Sequence, residues 1–219
     1  MTAEPPQSLV TEGVRSLEVR WIFPGQLQAA VAGWFGRFPA GAESREDTYL
    51  LDPHLRGLSV KVRGGGSLEV KVYRGSPGIL DVAGRTRGRM ESWQKWSFPF
   101  GPLRQVSGDP AGWRPVRKKR RISRFSSASS PVLARAAGLG NEPQCEVELT
   151  EVGTRDEDWW TLGFEATGPV GLLRSELEAT AALVFAETLP GGVEPGTDDS
   201  RSYAEWLCRW PGAESDADA

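Results

Sequence analysis

The sequence predicts an α+β protein in which about seven or eight antiparallel strands outnumber a few helices. Three observations lead to this prediction. Apolar and polar residues alternate with period two in many short segments, whereas only three segments show helical spacing. The polar positions of the alternating segments also carry mostly charged side chains.

The strands are predicted from alternation along the whole chain. In the clearest case, residues 57–73, two alternating runs flank a Gly-Gly-Gly-Ser turn and are predicted to form a hairpin. Aliphatic residues occupy one face of both runs, and Lys61, Arg63, Glu69 and Lys71 occupy the other. The remaining strands are predicted at 16–23, 47–52, 89–98, 114–125, 144–152 and 159–166.

The helices are predicted at 24–38, 172–189 and 202–210. The first has a proline near its start, the second is rich in Ala, Leu and Glu, and the third begins on a serine cap. Loops rich in Gly, Pro and Ser are predicted at 107–112, 126–131 and 190–200. We therefore predict one domain over residues 14–210, with flexible tails at 1–13 and 211–219.

Composition narrows the classes of function. The formal net charge of −3 gives no overall attraction for nucleic acid, so any basic site must be local. The N-terminal residues lack the features of a signal peptide, and no apolar run approaches the ~20 residues of a membrane span. We therefore expect a cytoplasmic protein that binds neither nucleic acid nor membrane. His54 is the only histidine, which argues against a Ser-His-Asp or Cys-His nucleophile.

The charged positions of the strands allow two interpretations. They are Glu18, Arg20, Lys61, Arg63, Glu69, Lys71, Arg89, Glu91, Lys95, Glu146, Glu148 and Glu165. On an open antiparallel sheet this face would be solvated. In a sheet that curls into a barrel it would face inward, where buried charges need partner charges, ions or a ligand. Basic residues would then bind phosphate oxygens, and glutamates would hold a hard divalent cation such as Mg²⁺ or Mn²⁺.

The basic run at 117–121 also allows two interpretations. Such runs are typical of nucleic-acid or localisation patches. Its strand-like context and the negative charge of the chain favour a strand with alternate residues inside a barrel. A shift of one residue in register decides whether Lys118 and Arg120 or Lys119 and Arg121 face inward. The residues alone leave this open; we take Lys119 and Arg121 as the inward pair.

The order of these segments resembles that of the CYTH superfamily, the triphosphate tunnel proteins that include thiamine triphosphatases, inorganic triphosphatases and class IV adenylate cyclases. The segment "SLEVRW" resembles the family's opening Glu-x-Glu-x-Lys strand, and "DTYLLD" resembles its Asp-x-Tyr segment. The segments "LSVKVR", "LEVK" and "VRKKRR" resemble later strands that carry basic residues. Finally, "CEVELTEV", "WWTLGFEA" and "SYAEWL" resemble the late acidic strand, the Glu-bearing strand and the terminal helix.

The resemblance implies a closed, eight-stranded antiparallel barrel, or tunnel, with a few flanking helices. It also implies a small anionic phosphate ligand and Mg²⁺ or Mn²⁺ as cofactor. The residues expected to bind phosphate are Lys61, Arg63, Lys71, Arg89, Lys119 and Arg121. The expected metal ligands are Glu18, Glu69, Glu148 and Glu165, and the expected catalytic residues are Glu18 and Arg20.

Two departures from the family pattern leave two hypotheses about function. Ser16 stands where the family has the first Glu of its opening motif, and Gly163 stands where the late strand has one of two acids. We predict metal-dependent hydrolysis of the terminal phosphoanhydride of inorganic, nucleoside or thiamine triphosphate. The alternative is a non-catalytic phosphate- or nucleotide-binding module that has lost metal chemistry. Cyclase activity is a third possibility, without specific support in the residues.

Overall fold

A computed structural model describes residues 13–52, 54–55, 57–64, 66–99, 112–126, 142–154 and 157–208. Its eight strands are β1 (Val14–Pro24), β2 (Gly41–Leu50), β3 (Leu58–Arg63), β4 (Ser67–Val82), β5 (Thr86–Pro99), β6 (Trp113–Phe125), β7 (Gln144–Gly153) and β8 (Asp158–Thr167). Its helices are α1 (Ala29–Phe35), α2 (Leu173–Val184) and α3 (Tyr203–Cys208), with a short 3₁₀ turn, Val170–Leu172, before α2.

The strands close into a barrel in the order β1-β5-β4-β3-β2-β6-β7-β8, and every neighbouring pair is antiparallel. Pairing between β1 and β8, the first and last strands in the chain, completes the ring. The predicted fold class, a closed eight-stranded antiparallel barrel with a few helices, is therefore confirmed.

Period-two alternation gives β1, β7 and β8 an apolar outer face, on which the main core is built. Leu17, Val19 and Trp21 of β1 belong to one buried cluster with Leu177 and Ala181 of α2. Burying a side chain of this size stabilises the fold by about 1.5–3 kcal/mol. The core thus lies between the wall and the helices, and the opposite parity of the same strands faces inward.

The helix α3 closes one end of the barrel. Its Trp206 and Leu207 form a buried cluster with Ile22, Val116 and Val152, which share the parity of the charged residues in their strands. Apolar side chains therefore fill this end of the interior, and the charged residues beyond them line a tunnel with a closed end.

Two strands, β2 and β4, extend furthest beyond their predicted ranges. The first half of β2, "GAESRE", lacks apolar alternation, yet it pairs with β6 from Gly41 onward. The strand β4 continues past Gly75 and Gly78, where its pairing with β5 shifts register. Both glycines have a φ of 123°, which L side chains rarely adopt, so they permit the irregular pairing that extends the strand.

The helices lie where they were predicted, and α1 and α2 are shorter than their predicted ranges. Because β1 runs through Pro24, α1 begins only at Ala29. The predicted tails, apart from Gly13, lie outside the described residues, and so do most residues of the predicted loops at 107–112 and 126–131. Within the described part of the chain, no helix has the length and apolarity needed to cross a membrane.

Candidate functional site

Charged side chains line a cavity of about 460 Å³ inside the barrel. In the described part of the chain, eleven of the lining residues are basic and seven are acidic. The basic residues are Arg20, Arg45, Lys61, Arg63, Lys71, Arg89, Lys95, Lys118, Arg120, Arg124 and Arg201, and the acids are Glu18, Glu43, Glu69, Glu91, Glu146, Glu148 and Glu165. Asp47 is a further buried acid at this site, and it pairs with Lys61 and Lys118. The excess of basic side chains favours an anion here, although the whole chain is negative.

Glu148 lies between two arginines deep in this cavity. Its Oε1 accepts a hydrogen bond from Arg20 at 3.2 Å, and its Oε2 accepts one from Arg120. Burial alone would raise the pKa of Glu148, but the two guanidinium groups hold that pKa well below its ordinary value. Arg120 Nε is buried and has no hydrogen-bond partner in the described part of the structure. Arg120 therefore keeps one unsatisfied donor nitrogen beside its ion pair with Glu148.

A second cluster surrounds Asp47, which is fully buried in β2. Its Oδ2 lies 3.3 Å from Lys61 Nζ and 3.2 Å from Lys118 Nζ. Burial would raise the pKa of Asp47, but these lysines lower it to about 2. Lys118 Nζ also donates to Tyr49 Oη at 2.6 Å and lies 3.9 Å from the centroid of the Tyr203 ring. This cluster lies next to the α3 end, because Tyr203 opens that helix.

Four glutamates form a row across adjacent strands, each opposite the next: Glu91 of β5, Glu18 of β1, Glu165 of β8 and Glu146 of β7. Lys71 Nζ lies 2.6 Å from Glu18 and 3.6 Å from Glu165. The row therefore lies inside the tunnel with a lysine ammonium against it.

The structure places each expected metal ligand in the tunnel, but it pairs each with basic groups. The pairs of Glu18, Glu148 and Glu165 are described above. The fourth expected ligand, Glu69, contacts Lys61 and Arg63, each at 3.0 Å. Among the described residues, no group of three His, Cys, Asp or Glu could hold a metal ion. The donor set, as placed, therefore does not fit a preformed site for Mg²⁺ or Mn²⁺.

The choice of Lys119 and Arg121 as inward residues of β6 was wrong. Lys119 lines a depression on the outside of the barrel, and Arg121 donates to the carbonyl of Ala32 in α1. Lys118 and Arg120 face the cavity instead. The reason is that Val116 packs against α3 inside the barrel, and residues two and four positions later share its face.

The remaining expected phosphate ligands, Lys61, Arg63, Lys71 and Arg89, all line the cavity, as do Glu18 and Arg20. Sequence reasoning missed Glu43 and Arg45, because the first half of β2 was not predicted as a strand. The alternating charges of "ESRED" at 43–47 were the available signal, since they face Arg120 and Lys118 across the pairing with β6.

Glu91 has a different environment from the paired carboxylates. It is buried and accepts a hydrogen bond from the Trp93 indole at 3.1 Å. Burial raises the pKa of Glu91 to about 7, and the nearby carboxylates of Glu205 and Glu18 also favour its protonated form. Near neutral pH the tunnel therefore contains an acid that exchanges its proton.

This raised pKa predicts a pH-dependent stability. Folded Glu91 binds its proton more tightly than unfolded Glu91, so its contribution to stability is present below its ordinary pKa of 4.5 and is lost as pH rises towards 7. We expect Glu91→Gln to match wild type near pH 4 and to exceed its unfolding free energy above pH 7 by about 1–3 kcal/mol. Urea unfolding across this range checks the prediction, with Glu178→Gln on the partly exposed face of α2 as control. A difference that does not change with pH would contradict it.

Comparison with known proteins does not assign a family, since neither a family model nor a curated protein matches the chain. Solved structures match at low similarity. A chain from the structure of the Schizosaccharomyces pombe Mediator head module is 10% identical, with a TM-score of 0.43 over 78% of this chain and 93% of that one. The PH1819 protein from Pyrococcus horikoshii OT3 is 15% identical, with a TM-score of 0.41 over 87% and 97%. What the structure defines is a closed antiparallel barrel with a charged, closed-end tunnel.

Proposed function

We propose that the barrel binds the phosphate chain of a triphosphate-containing small molecule inside its tunnel, as the CYTH-like order of motifs implies. The observation that carries this proposal is the concentration of basic side chains around one cavity, where they outnumber the acids. A phosphate chain carries closely spaced negative charges and several acceptor oxygens, which such a lining complements.

The buried arginines provide the most specific support. A guanidinium group has five donors in a planar fork, and Arg120 leaves one of its buried donors without a partner. Arg20 and Arg120 are also held in place by Glu148, so they need little reordering to receive a phosphate. Pre-positioned donors of this kind favour binding of an anion in the tunnel.

Metal-dependent hydrolysis of a triphosphate is the second candidate function. The row of four glutamates on adjacent strands favours it, because carboxylates are the ligands that Mg²⁺ and Mn²⁺ prefer. The basic residues that pair with three of these glutamates favour binding alone. Binding without chemistry is therefore the function that the geometry supports better.

Calorimetric titration with inorganic triphosphate, ATP and thiamine triphosphate in the presence of EDTA tests the binding proposal. We expect saturable binding to at least one of them, and affinity for inorganic monophosphate lower by about tenfold or more because fewer oxygens reach the donors. Binding of no triphosphate at either low or physiological salt would overturn the proposal.

A phosphate-release assay on the same three compounds with Mg²⁺ or Mn²⁺ separates the two candidates. Release that depends on the metal and is lost in Glu18→Ala would support the hydrolase. Tight binding without release, or release that Glu18→Ala leaves unchanged, would reject it in favour of the binding module.

A further inference from the structure

Lys71 occupies the space between two carboxylates that face each other across β1 and β8. Its Nζ lies 2.6 Å from Glu18 Oε1 and 3.6 Å from Glu165 Oε1. Lys95 Nζ lies a further 3.6 Å from the same oxygen of Glu165, and Ser16 Oγ donates to the same oxygen of Glu18 at 2.6 Å. One oxygen of each carboxylate, Oε1, is therefore already in contact with basic or hydroxyl donors.

Little solvent reaches this cluster of charges. The side chains of Glu18, Lys71 and Glu165 are 15%, 18% and 24% exposed. Ion pairs that are partly buried in this way are screened less than pairs on the surface, so the ammonium group and the two carboxylates attract one another strongly.

A second basic residue, Arg20, fills the space beside Glu18 and Glu165. A Cβ atom placed on Gly163 would lie only 2.8 Å from Arg20 Cζ and 2.9 Å from both of its terminal nitrogens. Arg20 is also the residue directly opposite Gly163 in the pairing of β1 with β8. The guanidinium group therefore lies where the side chain of any larger residue at 163, including an acid, would have to be.

We propose that Lys71 and Arg20 act as built-in cations that take the place of divalent metal ions, so that the tunnel binds its anion without a metal. The identity of that anion rests on the function proposed above, but the exclusion of the metal does not. Ser16 and Gly163 are the two positions at which the acidic pattern is incomplete. Ser16 donates to Glu18, the partner of Lys71, and Gly163 lies against Arg20.

Physical chemistry explains why the metal would be excluded. A divalent ion at Glu18 and Glu165 would have to displace a buried ammonium from its partners, and an unpaired buried charge is unfavourable. If the ammonium stayed, the ion would lie beside Lys71, Lys95 and Arg20, which repel it. Removal of the Lys71 charge should therefore create a metal site where the wild-type chain has none.

Mn²⁺ binding, measured by electron paramagnetic resonance of free Mn²⁺, tests the proposal in the absence of any phosphate ligand. We expect Lys71→Ala to bind one Mn²⁺ with affinity about tenfold or more above that of wild type. The matched control Lys71→Arg keeps the positive charge and should bind Mn²⁺ no better than wild type. The double variant Lys71→Ala, Glu18→Gln should lose the gained site.

Wild-type protein provides an independent measurement should Lys71→Ala fail to fold. The affinity for inorganic triphosphate should be the same in EDTA and in excess Mg²⁺, after allowance for the Mg²⁺ that free triphosphate binds. The proposal is overturned if wild type binds Mn²⁺ tightly and Glu18→Gln abolishes that binding, or if Mg²⁺ increases triphosphate affinity tenfold. If no triphosphate binds at all, the proposed function fails, while the Mn²⁺ comparison on wild type still decides the metal question.

Discussion

Replacement of Glu148 by alanine should lower the free energy of unfolding by about 3–5 kcal/mol, the usual cost of breaking a buried ion pair. The side chains of Arg20, Arg120 and Glu148 are only 10–13% exposed, so solvent cannot take over the role of the lost carboxylate. The two guanidinium groups would then face each other without their shared counter-charge. Chemical denaturation of the ligand-free protein measures the loss.

Glu146→Ala is the matched control, because Glu146 belongs to the same strand but pairs with Arg124, which is 53% exposed. A pair of this kind contributes about 0–1 kcal/mol, so the control should unfold almost as wild type does. Equal destabilisation by both substitutions would contradict the prediction.

Added triphosphate should also raise the melting temperature of Glu148→Ala more than that of wild type, because the anion supplies the charge that the carboxylate gave.

The fold could be predicted from the sequence because strand alternation and the core use the same residues. In β1, Leu17, Val19 and Trp21 alternate with Glu18 and Arg20, and the structure buries the first set on the outer wall. The alternate residues of each strand face the interior of the barrel, and in most strands these residues are charged. The charged parity alone was compatible with both an open sheet and a barrel, and closure was predicted only from the resemblance to a family of tunnel proteins.

The register of β6 could not be predicted, because "VRKKRRI" has basic residues on both faces. Tertiary packing decides it: Val116 lies in the apolar cluster with α3, and Ser123, on the other face, donates to the Pro39 carbonyl. The first half of β2 was missed for a related reason. It pairs with β6 along its backbone and through charges such as Glu43 with Arg120, and it lacks apolar alternation.

The ion pairs inside the tunnel also lay beyond the sequence. Residue types showed that acids and bases share the interior, but not that Lys71 would contact Glu18 from a strand on the far side of β5. That contact spans β5 on the inner face of the barrel, a distance that the long lysine side chain covers. Sequence reasoning could therefore name most of the lining residues but not which acids remain free to bind a metal.

Arg120→Gln should weaken triphosphate binding by about 10- to 100-fold, which corresponds to the 1.5–3 kcal/mol of a hydrogen bond to a charged group. Arg120 combines burial, a donor without a partner and contacts to Glu148 and Glu43, so its loss removes both charge and a pre-positioned fork. Glutamine keeps some hydrogen-bonding capacity, which makes the lost charge the main change. Calorimetric titration at fixed salt measures the affinity.

Lys119→Gln is the control for this prediction, since Lys119 precedes Arg120 in β6 and faces the outside of the barrel. The two substitutions change the net charge of the chain equally, so a general electrostatic attraction for the ligand would weaken to the same extent in both. Binding inside the tunnel instead requires that Lys119→Gln keep wild-type affinity, within about twofold. Equal losses in the two variants, each shown to be folded by circular dichroism, would place the anion on the outer surface and not in the tunnel.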